Sequence, residues 1–187
     1  MLRRFAHADL EGPFSLPNDP DVMWFLNGGR PTSRREIERE YRERFVKDGY
    51  WAVMERATDD FIGWFGFHPG EDRGPHEFEL GYRFGRSAWG KGCATEGSRA
   101  LIRKGFTELG ARRVFAETMA VNLASRRVME KSGLEYVRTF HQDWPDPIAG
   151  TEHGEVEYAL TRAAWEGHEA EGRPWVPARN GTAYSPE

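Results

Sequence analysis

The sequence predicts an α/β domain in which helices pack on the faces of one mixed β-sheet. Two strand-like segments, 50–56 and 61–67, are joined by the short polar turn 57–60, which is typical of an antiparallel hairpin. Strand and helix patterns then alternate between residues 77 and 140. A hairpin followed by strand–helix–strand–helix–strand order favours a sheet with both antiparallel and parallel neighbours.

The first fifty residues predict two helices after a weak start. Segment 5–14 can hold a first strand or its turn, and residues 19–27 predict a short helix. Ser33 and Glu36 have the spacing of a capping box, so a charged helix is expected to begin there and run to about residue 47. Its inner stripe is expected to comprise Ile37, Tyr41, Arg44 and Phe45.

The remaining elements follow in order up to a short C-terminal segment. They are a strand at 77–84, a helix at 95–109, a strand at 112–118, a helix from Asn122 to Gly133, strands at 134–140 and 155–161, and a short helix at 162–168. Residues 169–187 are rich in Gly, Pro and charge and read as a tail. We therefore expect one domain over residues 1–168 and a tail over 169–187.

The amino-acid composition limits the kinds of partner that the protein is expected to have. The 26 basic and 30 acidic residues among 187 give a formal charge of -4, so a nucleic-acid partner, which needs a basic surface, is not expected. No apolar run approaches the roughly 20 residues of a membrane span, and the chain start lacks the apolar core of a signal peptide. Cys93 is the single cysteine and cannot form an internal disulfide, and the six histidines lack metal-ligand spacing. We expect a cytoplasmic protein with no membrane or metal partner.

The most informative stretch is the glycine-rich segment 89–96 between the strand at 77–84 and the helix at 95–109. A strand that enters a helix through such a turn presents unpaired backbone N–H groups beside the positive end of the helix dipole. This arrangement binds phosphate or pyrophosphate. The sequence therefore predicts a phosphorylated ligand.

Two familiar phosphate loops fit the turn poorly. Gly85, Gly90 and Lys91 match most of the nucleoside-triphosphate loop, but Gly92 stands where that loop needs a hydroxyl for Mg²⁺. The dinucleotide fingerprint is matched at Gly90 and Gly92, but Thr95 occupies its third glycine position.

Several short segments, in a fixed order and spacing, suggest a third ligand. They are Trp89-x-x-Gly92-x-Ala94 and residues 79–82, 94–96, 122–125 and 130–134. Together they resemble the GNAT-type N-acetyltransferases, whose acyl-CoA loop carries Gln or Arg where this chain has Trp89. The resemblance is greatest to the ribosomal-protein-alanine N-acetyltransferase branch and extends from about residue 50 to 140. It implies a mostly antiparallel sheet of about six to seven strands with one splayed pair, flanked by about four helices.

The resemblance also implies acetyl-CoA as the donor substrate. The amides from Gly90 to Thr95 would hold the pyrophosphate, and the pantetheine arm would lie along the strand end at 82–84, where a bulge near Gly81 would free backbone groups. Cys93 is expected to contribute its amide, while its thiol packs. The residues expected to bind the donor are Tyr82, Arg83, Phe84, Trp89, Gly90, Lys91, Gly92, Cys93, Ala94, Thr95 and Asn122.

Acetyl transfer needs a base for the incoming amine and a proton for the departing thiolate. Glu79 matches the acidic residue of the resembled branch and is expected to act as base, with Glu77 on the same strand face as its rival. Many relatives protonate the thiol with a Tyr where this chain has Met129. Ser125 is expected to assist instead, and its alternative role is a helix hydroxyl bonded to its own backbone.

The predicted function is transfer of an acetyl group to a primary amine, either a protein N-terminus or a small molecule. Two alternatives stay open: an acyl-CoA-binding module without transfer activity, and another donor such as succinyl-CoA, which needs a basic residue that the sequence does not place. Segments 19–47, 68–76 and 141–154, with Trp24 and Trp144, are expected to build the acceptor site. A homodimer is compatible with the sequence, but no residue indicates one.

Overall fold

A computed structural model of the protein describes residues 1–5, 9, 16–45 and 49–170. Its strands are β1 (Leu2–Arg4), β2 (Tyr50–Met54), β3 (Phe61–Pro69), β4 (Glu77–Phe84), β5 (Arg113–Met119), β6 (Glu135–Phe140) and β7 (Glu155–Thr161). Its helices are α1 (Pro20–Asn27), α2 (Arg34–Glu40), α3 (Cys93–Thr107), α4 (Leu123–Lys131) and α5 (Arg162–Ala170).

The seven strands of this part of the chain form one sheet in the order β1-β2-β3-β4-β5-β7-β6. Neighbouring strands are antiparallel except β4 and β5, which are parallel. The predicted hairpin pairs β2 with β3, and α3 forms the crossover between the two parallel strands. The predicted mixed, mostly antiparallel sheet is confirmed.

Helices α3, α4 and α5 cover one face of the sheet, which we call the core face. There the aromatic residues of β3 and β4 pack against the inner side of α3, where Gly97 and Gly105 leave room for the Phe65 and Phe67 rings. A Cβ on Gly97 would stand 2.4 Å from the Phe65 ring, so glycine allows this close helix–strand approach. The buried cluster on this face includes Phe65, Phe67, Phe78, Leu80, Leu101, Ile102, Phe106, Val114, Met129 and Tyr158.

Among the described residues, α2 and its continuation cover the opposite face, which we call the cleft face, over β2, β3 and the residue that follows β1. The predicted capping box is present, since Ser33 and Glu36 bond each other's backbone N–H groups. Beyond Glu40 the helix continues as a π-helical turn, Tyr41–Phe45, whose wider spacing keeps Tyr41 and Phe45 buried. Arg44, predicted to face inward, is exposed, so that part of the stripe was wrong.

The parallel pair β4–β5 separates partway along its length. Residues 77–79 of β4 pair with residues 113–115 of β5, and beyond them the two strands have no mutual pairing. The predicted splayed pair is therefore confirmed. The expected bulge near Gly81 was wrong: β4 keeps an unshifted register with β3, in which Gly66 faces Gly81. The strands part because β5 follows β7 instead.

The ends of the chain differ slightly from the prediction. The first strand lies at residues 2–4 rather than within 5–14, most of which lies outside the described residues. The last helix extends to Ala170, two residues beyond the predicted end, and the rest of the predicted tail, 171–187, also lies outside the described residues.

Candidate active site

The glycine turn opens onto the start of α3. Gly90 and Gly92 have φ of 70° and 81°, and a Cβ on either would meet no atom within 4 Å. Gly92 is the N-cap residue and provides no side-chain cap, and the first helical bond runs from the Glu96 N–H to the Gly92 carbonyl. The earlier amides, including those of Ala94 and Thr95, are therefore free of intrahelical partners and lie at the positive helix end. The turn can accept an anion.

The side chains around the turn serve different purposes. Trp89 is 48% exposed, and its indole N–H donates to the Phe84 carbonyl at 2.9 Å, which ties the turn to the end of β4. Lys91 is exposed beside it. Cys93 packs partly buried against the core cluster, as predicted for its thiol.

A contact between Tyr82 on β4 and Ser125 on α4 links these two elements, and the sequence analysis had given the two residues separate roles. The hydroxyl groups of Tyr82 and Ser125 lie 2.9 Å apart, and the Tyr82 hydroxyl also lies 3.0 Å from the Ser125 carbonyl. Burial raises the pKa of Tyr82, so its phenol stays protonated. This pair places a hydroxyl beside the splay although Met129, at the usual tyrosine position, is buried.

Asn122 begins α4. Its Oδ1 accepts from the Ser125 N–H at 3.2 Å, and its Nδ2 donates to Thr118 Oγ1 at 3.1 Å. Both polar atoms of the side chain are thus engaged within the protein, and the predicted N-cap role is observed. A contact between Asn122 and a pantetheine arm stays a prediction.

The two carboxylates proposed as base have different surroundings. Glu77 accepts from Arg113 at 2.8 Å and lies 3.8 Å from Arg73. The carboxylate of Glu79, by contrast, makes no ion pair or hydrogen bond with any residue that the structure describes, and the Glu79 backbone is the last of β4 to pair with β5. The environment therefore favours Glu79 over Glu77 as an available base.

A further carboxylate near the splay was missed by the sequence analysis. Glu117 lies on β5 two residues beyond Phe115, the partner of Glu79, and on the same sheet face. Burial raises its pKa, the nearby Arg73 guanidinium opposes this, and the charges of Glu157 and Glu79 raise it further. Strand alternation places it on this face once the β4–β5 register is known, and that register is not visible in the sequence.

A network of charged side chains on the cleft face links the strands where β4 and β5 are still paired. Glu157 is only 2% exposed and accepts from Arg73, Arg113 and Arg138 at 2.5 to 3.1 Å. Burial alone would raise the pKa of Glu157, but these hydrogen bonds outweigh it and lower the pKa to about 2. The network joins β4, β5, β6 and β7 where the cleft begins.

The loop 141–154 and α1 form the outer part of the cleft. An ion pair between Arg30 and Asp146 spans the two segments, and Trp24, 51% exposed, lines the same cavity. Trp144 lies in this loop, and Glu155, whose side chain is buried, begins β7 directly after it. The predicted segments 19–47 and 141–154 therefore come together, and Trp24 lines their cavity.

Two negative observations concern the described residues only. Within the described ranges no group of three or more His, Cys, Asp or Glu side chains is arranged to hold a metal ion. Within the same ranges no helix has the length and apolar character that crossing a bilayer requires.

The fold and this site define an acyl-CoA-dependent N-acetyltransferase, and comparison with known proteins agrees. The acetyltransferase (GNAT) domain matches residues 1–135. The FsC-acetyl coenzyme A-N(2)-transacetylase of Aspergillus fumigatus is 35% identical over 170 residues, which is 86% of this chain and 72% of that protein. The chain therefore belongs to the GNAT acetyltransferase family.

Solved structures show the same fold. A GNAT-family acetyltransferase from Bacillus anthracis superposes with a TM-score of 0.75 at 25% identity, over 87% of this chain and 94% of that one. Spermidine N-acetyltransferase from Vibrio cholerae, solved with CoA and spermine, gives a TM-score of 0.72 at 19% identity, over 89% and 97% of the two chains.

Proposed function

We propose that the protein transfers the acetyl group of acetyl-CoA directly to a small-molecule primary amine. The observation that carries the proposal is the parting of β4 and β5 after residues 79 and 115, directly beside an uncapped helix start. The gap offers unpaired strand backbone to an amide-containing arm, and the helix start offers amides to its pyrophosphate. Acetyl-CoA carries both groups.

In this proposal the donor is held mainly by backbone. The amides from Gly90 to Thr95 bind the pyrophosphate, and the free edge of β4 at residues 82–84 pairs with the pantetheine arm. The Phe84 side chain is buried and cannot serve this purpose, so its contribution is its backbone. The exposed Lys91 adds positive charge at the turn.

A carboxylate on the cleft face takes the proton of the amine. Near neutral pH a primary amine is charged, and attack on the thioester carbonyl requires the neutral form. Glu79 fits because its carboxylate has no ion-pair or hydrogen-bond partner among the described residues. It is also the last residue of β4 that pairs with β5. Glu117 is the second candidate because it faces the same gap from β5 and because burial raises its pKa, although its Oε1 accepts from Arg73 at 2.8 Å.

Ser125 and Tyr82 supply the proton that the departing thiolate needs. As the amine nitrogen bonds to the carbonyl carbon, the carbon–sulfur bond breaks and the sulfur keeps the electron pair. The hydroxyl pair lies on the core-face side of the gap, between β4 and α4. The raised pKa of Tyr82 means that its phenol is protonated when the donor binds.

The names of the relatives support an amine acceptor of small size. The Aspergillus relative is named for an N(2) transfer from acetyl coenzyme A, and the Vibrio structure contains spermine. The cavity between α1 and the loop 141–154 offers an exposed Trp24 ring beside the Arg30–Asp146 pair, which suits a polar molecule with an apolar part.

The test is release of free CoA thiol from acetyl-CoA in the presence of a panel of primary amines, with product confirmed by mass spectrometry. We expect release that depends on the amine and saturates with acetyl-CoA. Tight acetyl-CoA binding without release across the panel would contradict transferase activity and would favour the acyl-CoA-binding module.

A further inference from the structure

One basic side chain on the cleft face has no partner that explains its position. Arg83 is partly buried, yet its guanidinium makes no ion pair or hydrogen bond with any described residue. The Trp64 ring lies beside it, with its centroid 5.2 Å from the guanidinium carbon. A cation–π contact of this kind leaves the five N–H donors of the guanidinium without a hydrogen-bond partner among the described residues.

The neighbouring charged side chains do not balance the positive charge of Arg83. Burial lowers its pKa, the charge of Glu40 opposes this, and the charge of Arg44 lowers the pKa further. Glu40 itself lies 3.9 Å from Arg44, so its charge is shared. A partly buried cation without hydrogen-bond partners costs free energy, and an anionic ligand would remove that cost.

The space next to Arg83 is open and leads to the reaction centre. Gly81 stands between Glu79 and Arg83 on the same face of β4, and a Cβ on Gly81 would meet no atom within 4 Å. On the β3 side the Tyr50 ring covers Gly66, the partner of Gly81. On the other side β5 has parted from β4. The slot therefore opens into the gap in which the pantetheine arm of the donor is proposed to lie.

The slot has an unpaired carboxylate at one end and an unpaired guanidinium at the other. Arg83 lies four positions after Glu79 on the strand, which is about 13 Å between Cα atoms. A molecule with an amine at Glu79 and a carboxylate at Arg83 would pair both charges. The same guanidinium could instead receive the terminal carboxylate of a dicarboxylic acyl group.

We infer that Arg83 is a specificity residue that binds a carboxylate brought into the Gly81 slot by the acceptor or by the acyl group. The inference rests on the proposed function and adds the chemical class of the substrate. The Arg83 side chain then serves the substrate, while the backbone at residues 82–84 serves the donor arm.

The experiment uses two matched pairs of probes with the full-length protein. The acceptor pair is L-alanyl-L-alanine and its C-terminal amide, each with acetyl-CoA. The donor pair is succinyl-CoA and butyryl-CoA, which have four-carbon acyl groups with and without a terminal carboxylate, each with the dipeptide amide as acceptor. Initial rates give a ratio of kcat/KM for each pair. Calorimetric binding of the dipeptide and its amide to the CoA-bound protein, and of the two acyl-CoAs to the free protein, gives a second readout that needs no turnover.

We expect the carboxylate member of one pair to be preferred, and Arg83→Gln to reduce that preference about 10- to 100-fold, as for loss of a charge-assisted bidentate contact. Arg83→Lys should lose part of the preference, because it keeps the charge without the planar fork. Arg103→Gln, an exposed arginine on α3, is the matched control and should keep the wild-type ratios.

Preference in the acceptor pair identifies the acceptor as the source of the carboxylate, and preference in the donor pair identifies the acyl group. If neither pair shows a preference in rate or binding, or if Arg83→Gln leaves the ratios unchanged, the inference is wrong. Failure of the proposed function gives a different result, namely no binding of any CoA thioester. In that case binding of the dipeptide pair to the free protein still decides the role of Arg83.

Discussion

Replacing Glu157 with Gln should destabilise the protein by about 3 kcal/mol at neutral pH. The carboxylate is 2% exposed and is surrounded by three guanidinium groups, which hold its pKa at about 2 instead of its ordinary value of 4.5. That difference corresponds to about 3 kcal/mol of preference for the charged form in the folded state. The estimate agrees with the roughly 3–5 kcal/mol lost when one partner of a buried ion pair is removed.

The sign of the pH dependence follows from the lowered pKa. Because the unfolded chain binds the Glu157 proton more readily, the stabilisation is fully present above about pH 4.5 and is lost as the pH falls toward 2. Urea unfolding of the wild type and of Glu157→Gln should therefore differ most between pH 6 and 8 and converge below pH 4.5.

The matched control is Glu166→Gln, which removes an exposed ion pair with Arg162. Such pairs contribute at most about 1 kcal/mol, so this variant should unfold nearly as the wild type does. A Glu157→Gln protein within 1 kcal/mol of the wild type at pH 7 would refute the view that this network holds the sheet below the cleft.

Four further substitutions probe the site. Glu79→Gln and Glu117→Gln should show which of the two carboxylates is the base. The variant that lacks the base should lose about 100-fold in kcat and the acid limb of its pH–rate profile, while its affinity for acetyl-CoA is kept. Equal small losses of kcat in both variants would show that neither carboxylate acts as the base. Tyr82→Phe should lower kcat about 10-fold with little change in acetyl-CoA affinity, because it removes a protonated hydroxyl beside the thiol; an unchanged kcat would leave Ser125 alone in this role. Gly92→Val should weaken acetyl-CoA binding at least about 10-fold in calorimetry, since it strains a left-handed residue and crowds the anion site; Gly167→Ala, in an open position on α5, should not.

The parts of the site that depend on local sequence were predictable. The strand, glycine turn and helix from residue 77 to 107 were recognised because alternation, turn residues and helical spacing all change within a few positions. The bounds of β4 and β7 match the prediction. The family resemblance added the splay, which no local pattern shows.

The parts that depend on register or tertiary contact were not predictable. Glu117 needs the pairing of Glu79 with Phe115 before it can be placed beside the cleft. The partners of Glu157 lie 19 to 84 residues away in sequence, and no local pattern predicts their convergence. The isolation of Arg83 likewise depends on what surrounds it in the fold. Arg44 was misplaced because a π-helical turn changed the period of its helix.

The most direct measurement is a calorimetric comparison of acetyl-CoA with S-acetylpantetheine, which has the same arm and thioester but no pyrophosphate. We predict saturable binding of acetyl-CoA and at least about 100-fold weaker binding of S-acetylpantetheine, because the helix-start amides would then lack their anion. Equal affinity for the two compounds, or no binding of acetyl-CoA, would contradict the assignment of the glycine turn as the donor site.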